Sequence, residues 1–213
     1  MQIRLWYNPG RANDRFIVPG AFVVCLALLP PLVASLATAR EKESGTLLQV
    51  FVSGVSAPEY LLGKITAFCL VTWCSWLLLL SAVMIGFGLR FAGSPYPFLA
   101  GSAAFLFAMI TFGVMIGVIV PNQAAAIQAI QLGSFVLSFL LSGFIFPLAN
   151  IPAVLRPVSA ITPATYFIEV SRDAFLRGGG WPSQWQNVLT VQLIGTVYFL
   201  IAWARMRRMQ LEA

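Results

Sequence analysis

The chain has 213 residues, 59% of them hydrophobic and 9% charged, where ordinary globular domains carry roughly a quarter charged. With a mean hydropathy of +0.86, 17 Phe and 6 Trp, too little polar side chain remains to solvate a compact fold. A soluble domain is excluded, and an all-α polytopic integral membrane protein is expected. The net charge of +6 does not point to nucleic acid, because the charges bracket apolar runs and form no basic stripe.

The excluded chemistry follows from the residues. The chain has no His, and its three cysteines, Cys25, Cys69 and Cys74, form no CxxC. Zinc sites, haem ligation and Ser-His or Cys-His catalysis therefore lose their usual groups, and no metal site or catalytic residue is expected. Stretches 16–39, 65–89 and 91–155 contain no Asp, Glu, Lys or Arg, as the cost of a charge in hydrocarbon requires.

Taken in chain order, residues 1–16 form a segment ahead of the first span. A helix needs about 20 apolar residues to cross the hydrocarbon, and the first candidate is 17–39. Arg4, Arg11 and Arg15 before it, and Ala37-Thr38-Ala39 at its end, also fit a signal peptide, but the run is too long for a signal core and Pro30-Pro31 interrupts it. Inside a span those prolines free carbonyls that neighbouring helices or polar side chains must satisfy. The polar loop 40–64 follows. It holds Arg40, Glu41, Lys42, Glu43, Glu59 and Lys64, six of the chain's 20 charged residues, around the apolar Leu47, Leu48, Val50, Phe51, Val52 and Val55. An amphipathic element on the membrane surface, or docked on another protein, fits both facts. Gly63-Lys64 is no phosphate-binding loop, because Pro58 and Ile65 stand where Gly and Ser or Thr are required.

Further spans are placed at 65–89, 98–120, 124–147 and 187–204, with Pro121-Asn122-Gln123 as the break between the third and fourth. In the third, Gly113 and Gly117 form a GxxxG suited to close packing inside the chain. Gln123, Gln128, Gln131, Ser134, Ser138 and Ser142 put polar atoms along the fourth, to line a pathway or to bond neighbouring helices. The segment 149–186 reads as short interfacial helices, with Thr162 as cap, Pro163 at the first helical position and Gly178-Gly179-Gly180 as stop. Tyr166, Phe167, Val170, Ala174 and Phe175 suit its apolar face, and Glu169, Arg172, Asp173 and Arg177 offer pairs at i,i+3 and i,i+4. Such a segment is either a gate or a lid on the span ends. Trp181, Trp185 and Trp203 suit interfacial anchoring, and 205–213 forms a tail with Arg205, Arg207 and Arg208. Lys and Arg number six on one side and seven on the other, so the count does not set orientation.

Arg40-Glu41-Lys42-Glu43-Ser44-Gly45-Thr46-Leu47, followed by Pro58-Glu59-Tyr60-Leu61-Leu62-Gly63-Lys64, resembles the cytoplasmic loop of type-2 ABC transporter permeases. Leu141-Ser142-Gly143-Phe144-Ile145-Phe146-Pro147, Ile151-Pro152, Pro163-Ala164-Thr165-Tyr166-Phe167 and Arg172 before Phe175-Leu176-Arg177-Gly178 resemble that family's segment before its last span. The likeness runs from about Trp6 to Arg208. It implies a bacterial inner-membrane ABC exporter permease, working as a homo- or heterodimer with a separate nucleotide-binding ATPase subunit that holds the ATP and Mg; this chain would bind no cofactor and catalyse nothing. Loop 40–64 and the tail would be cytoplasmic, and 1–16 and 149–186 outside. The resemblance implies that Arg40, Glu41, Glu43, Gly45, Thr46, Leu47, Phe51 and Glu59 couple the spans to the ATPase, with the apolar face of 47–55 filling a groove there and Lys64 an interfacial anchor. Phe144, Phe146, Pro147, Tyr166, Phe167, Glu169 and Arg172 are the outer-gate candidates. The family's usual permease has six spans per half, and Met1 stands just before what would be the second. A short form or a fragment is therefore expected, and a truncated or non-transporting assembly partner is the competing reading.

Overall fold

The computed structural model describes residues 13–145 and 148–212, and among these there is no strand. Five helices are long and apolar enough to cross a membrane: Ile17–Glu43, Ala57–Gly86, Tyr96–Ile119, Gln123–Leu141 and Trp181–Met209. Each expected span is present. The second begins at Ala57, inside the expected loop, and the fourth ends at Leu141, where Gly143 turns the chain with φ +82°, a region that favours glycine.

The first span belongs to α1 (Asn13–Glu43), which runs through Pro19, Pro30 and Pro31. Pro31 removes the amide that would bond the carbonyl of Ala27, four residues back. Ser134 of the fourth span donates its hydroxyl to that carbonyl. The neighbouring polar side chain that the sequence required is thus identified. Ser134 lies in a π-helical stretch, Gln131–Val136, between α5 (Gln123–Ile130) and α6 (Leu137–Leu141). One wider turn there resets which residues face α1.

A seven-residue helix, α2 (Thr46–Val52), follows Gly45, and α3 (Ala57–Ser81) carries the second span into a π turn at Ala82–Gly86. The third span, α4 (Tyr96–Ile119), is the central one and packs against α1, α3, α8 and α9. Lipid tails are as apolar as leucine, so helices in a bilayer are held by close packing and hydrogen bonds rather than by expulsion from water. Glycine sets that packing here. A Cβ on Gly113 would stand 2.3 Å from the Pro31 carbonyl oxygen, and one on Gly117 would stand 2.7 Å from that of Ser35. The GxxxG therefore serves contact within the chain. On another face of α4, a Cβ on Gly195 of α9 (Trp181–Glu212) would lie 2.9 Å from Ala108 Cα, and Thr111 donates to the Gly195 carbonyl at 3.2 Å.

At the opposite end from α2 lie α7 (Arg156–Ala160) and α8 (Pro163–Arg172), the latter continuing as a π turn over Asp173–Arg177. Pro163 takes the first helical position and Gly178 ends the element at φ +70°. Thr162 sits at the cap position but caps no amide; its hydroxyl donates to the Val158 carbonyl at 2.9 Å. The expectation of a helix resting on the surface is corrected for α8, which is packed among α1, α4 and α9. Phe167 stacks on Phe105 at 4.6 Å and on Phe98 at 6.0 Å between ring centroids. The apolar face foreseen there finds a protein core, with Ser171 also donating to the Pro19 carbonyl at 3.1 Å.

Candidate functional site

The polar loop folds as α2 clasped between the ends of the first two spans. Gly45 makes the entry, at φ +72° with no atom near where a Cβ would stand. Thr46 closes the turn, its hydroxyl donating to the Glu41 carbonyl at 3.1 Å. A seven-residue helix is marginal alone, and α2 is held by Leu47 and Phe51, which are buried with Ala34, Leu61, Ile65 and Val114. Leu47 and Phe51, two side chains of the apolar face expected to fill a groove on an outside partner, are therefore part of this chain's own core. Arg40, Glu43, Thr46, Gln49, Val52, Ser53 and Glu59 are among the exposed residues, Val52 at 83%.

The acidic residues are also engaged within the chain. Glu41 accepts from Lys64 Nζ at 2.6 Å and from the Tyr60 hydroxyl, while Lys64 also donates to Tyr60 Oη at 2.7 Å. Lys64 is thus one arm of a half-buried three-residue lock between α1 and α3. Glu43 reaches the start of the fourth span, where Oε1 accepts from the Gln123 amide at 3.0 Å and Oε2 from its side chain. A carboxylate at a helix N-terminus also meets the positive end of the helix dipole. Glu59 closes the start of α3, accepting from the Ser56 amide at 2.9 Å and hydroxyl at 2.7 Å. Lys42, which the motif alone did not single out, donates to the Val118 carbonyl at 2.9 Å and to that of Val120. It thereby neutralises the carboxyl end of α4. Alternation of acid and base along Arg40-Glu41-Lys42-Glu43 was the available signal: successive helix positions point about 100° apart, so four adjacent charges address different neighbours.

The outer-gate candidates divide. Phe146 and Pro147 lie outside the described residues. Phe167 is a core ring rather than a pathway wall. Tyr166 is half-buried and donates to the Ala160 carbonyl at 2.9 Å. Phe144 lays its ring on Gly20 of α1, where a Cβ would stand only 2.4 Å from it. The guanidinium of Arg172 donates to the carbonyls of Gly143 at 3.0 Å and Phe144 at 3.1 Å, so α8 grips the turn that ends the fourth span. Burial lowers its pKa from the ordinary arginine value, with nearby Glu169 opposing that shift. An ion pair in this region joins Glu169 to Arg177 at 3.0 Å, eight residues apart, and Glu169 also acts electrostatically on Arg172, three positions on. These groups surround a cavity of about 290 Å³ lined by Gly143, Phe144, Glu169, Arg172 and Arg177.

Among the polar residues of the fourth span, Ser134 and Ser138 are buried, whereas Gln128 and Gln131 are exposed. Trp181 and Trp185 stand exposed at the start of α9, where anchoring was expected, and Trp203 is half-buried near its far end. No cluster of metal-ligating residues occurs among the described residues.

Residues 2–204 match the family model described as "ABC-2 family transporter protein". Curated relatives agree. The chain is 32% identical over 206 residues to the "probable multidrug ABC transporter permease YbhS" of Escherichia coli (strain K12), covering 97% of this chain and 52% of that protein. It is 27% identical over 212 residues to "probable multidrug ABC transporter permease YbhR" of the same organism, covering 97% and 56%. It is also 28% identical over 214 residues to that strain's "inner membrane transport permease YhhJ", covering 98% and 56%. The chain spans about half the length of these relatives.

Proposed function

The chain belongs to the ABC-2 family of transporter proteins, and from that premise we propose that it supplies the spans of an ATP-driven exporter, coupled through α2 to a separate ATPase subunit that holds ATP and Mg. The observation that carries this reading is the wiring of α2. Its apolar side is buried in the bundle, and the adjoining Glu41, Lys42 and Glu43 bond three further spans. A force on the exposed Gln49, Val52 or Ser53 reaches α3 through Lys64, α4 through its capped end and α5 through Gln123. An element that merely rested on headgroups would need no such ties.

On this reading α2 and the Arg205–Arg208 tail are cytoplasmic, the membrane is the bacterial inner membrane, and α7 and α8 face the far side. Two copies, or this chain and a related one, enclose the pathway, which accounts for the exposed Gln128 and Gln131 on a span whose lipid-facing positions should be apolar. The description of YbhS and YbhR as probable multidrug permeases supports drug-like organic compounds as substrates. On this reading Phe144, whose carbonyl Arg172 bonds and whose ring packs on Gly20, closes the outer end.

The test is cross-linking from single cysteines at Gln49, Val52 and Ser53, in native membranes and with Cys25, Cys69 and Cys74 replaced. Specific adducts with an ATPase subunit are expected. Labelling of these positions by an impermeant reagent from outside would overturn the orientation, and cytoplasmic labelling without any adduct would favour a non-transporting assembly partner.

A further inference from the structure

At the α2 end of the bundle, the carboxyl end of α4 and the last turns of α9 leave a cavity of about 240 Å³ lined by Val118, Ile119, Arg205, Arg208 and Met209. Arg205 and Arg208 are three positions apart on α9 and share one face. Neither is paired with Glu41, Glu43, Glu59, Glu169 or Asp173, the acids whose side chains the structure describes. By sequence α9 carries three arginines and one acid, and Glu41 and Glu43 are bound to Lys64 and Gln123. The charge at the α4 end is supplied by a third cation, since Lys42 bonds the carbonyls of Val118 and Val120. The helix dipole is therefore answered without the arginine pair.

We propose that this cavity is a binding site for the phosphodiester headgroup of an anionic phospholipid, with Arg205 and Arg208 as its two cationic walls. Arg205 and Arg208 are exposed beside this cavity, and the membrane surface offers them an anionic counter-charge. The rest of the lining selects lipid over a free anion. Val118, Ile119 and Met209 give the cavity an apolar floor, and Ile119, Val197, Leu200 and Ile201 are exposed, continuing that surface into the bilayer where acyl chains lie. Arginine suits the role because its planar fork can hold two phosphate oxygens at once. The inference holds for either orientation of the chain and does not require an ATPase partner.

The test is native mass spectrometry of the full chain, purified in detergent and offered phosphatidylglycerol, phosphatidylcholine or inorganic phosphate. Preferential retention of phosphatidylglycerol is expected. At roughly fivefold per basic residue near a membrane surface, the double variant Arg205→Gln/Arg208→Gln loses about 25-fold in that retention. Arg207→Gln, outside the cavity lining, keeps it, and Arg205→Lys/Arg208→Lys keeps most of it. Thermal unfolding in phosphatidylcholine shows whether the glutamine variant is folded. Equal retention of the two lipids, or a folded glutamine variant that retains phosphatidylglycerol like the parent, would overturn the proposal. Displacement of the lipid by millimolar inorganic phosphate would make it a free-anion site, and loss of a co-purified protein with lipid retention unchanged would make it a protein contact; either refutes the lipid assignment.

Discussion

Glu43 and Gln123 stand 80 positions apart and meet twice, once through the Gln123 amide and once through its side chain. Through this pair the end of the first span holds the beginning of the fourth. If it transmits motion from α2, then Glu43→Ala and Gln123→Ala should each reduce ATP-driven transport, and the double variant should be no worse than the poorer single one. A double-mutant cycle on transport rate in membrane vesicles checks this. Losses that multiply would mean that the two residues act independently.

The lock of Glu41, Tyr60 and Lys64 should behave as a unit of stability. Lys64 is nearly buried and Glu41 is 39% exposed, so Lys64→Met should cost about 1–3 kcal/mol, below the range for a fully buried pair because solvent reaches the carboxylate. Exchanging the charges as Glu41→Lys/Lys64→Glu should recover part of that loss. Thermal unfolding in detergent reads both.

The glycine contact between α1 and α4 predicts a sharp contrast. Gly113→Ala should destabilise by about 1–3 kcal/mol, because the new methyl meets the Pro31 backbone, which cannot swing aside. Gly63→Ala meets no atom within 4 Å, and in a helix it should stabilise by roughly 0.5–1 kcal/mol. A lower Tm for the first and an unchanged or higher one for the second is the expected result.

Removing the grip of Arg172 should open the turn after the fourth span. Arg172→Met leaves the carbonyls of Gly143 and Phe144 without these donors, at about 1–3 kcal/mol for each group that water does not reach. A cysteine at Ile145, introduced after the native three are replaced, should then react faster with an impermeant maleimide. Arg172→Lys should restore only part of the protection, because a point charge cannot hold two carbonyls in the geometry of a planar fork.

Composition and hydropathy were enough to assign the class of molecule and five candidate spans, each near a long apolar helix of the structure. A charge in hydrocarbon is so costly that uncharged runs and polar breaks are written directly into composition. The sequence also marked the loop and the demand raised by Pro30-Pro31 for a polar neighbour. What these features touch could be read only from the folded chain. Ser134 answers the carbonyl freed by Pro31 from more than a hundred positions away, while Leu47 and Phe51 turn inward and Glu41 finds Lys64. The same limit applies to depth. Beyond Lys64, α3 is as free of charge as α4, yet α4 is largely buried and α3 mostly faces outward. Lipid and protein interior are alike to a leucine, so hydropathy shows that a helix crosses the membrane but not which side meets protein. That choice rests on shape: on Gly113, Gly117 and Gly195, where a missing side chain lets two backbones approach.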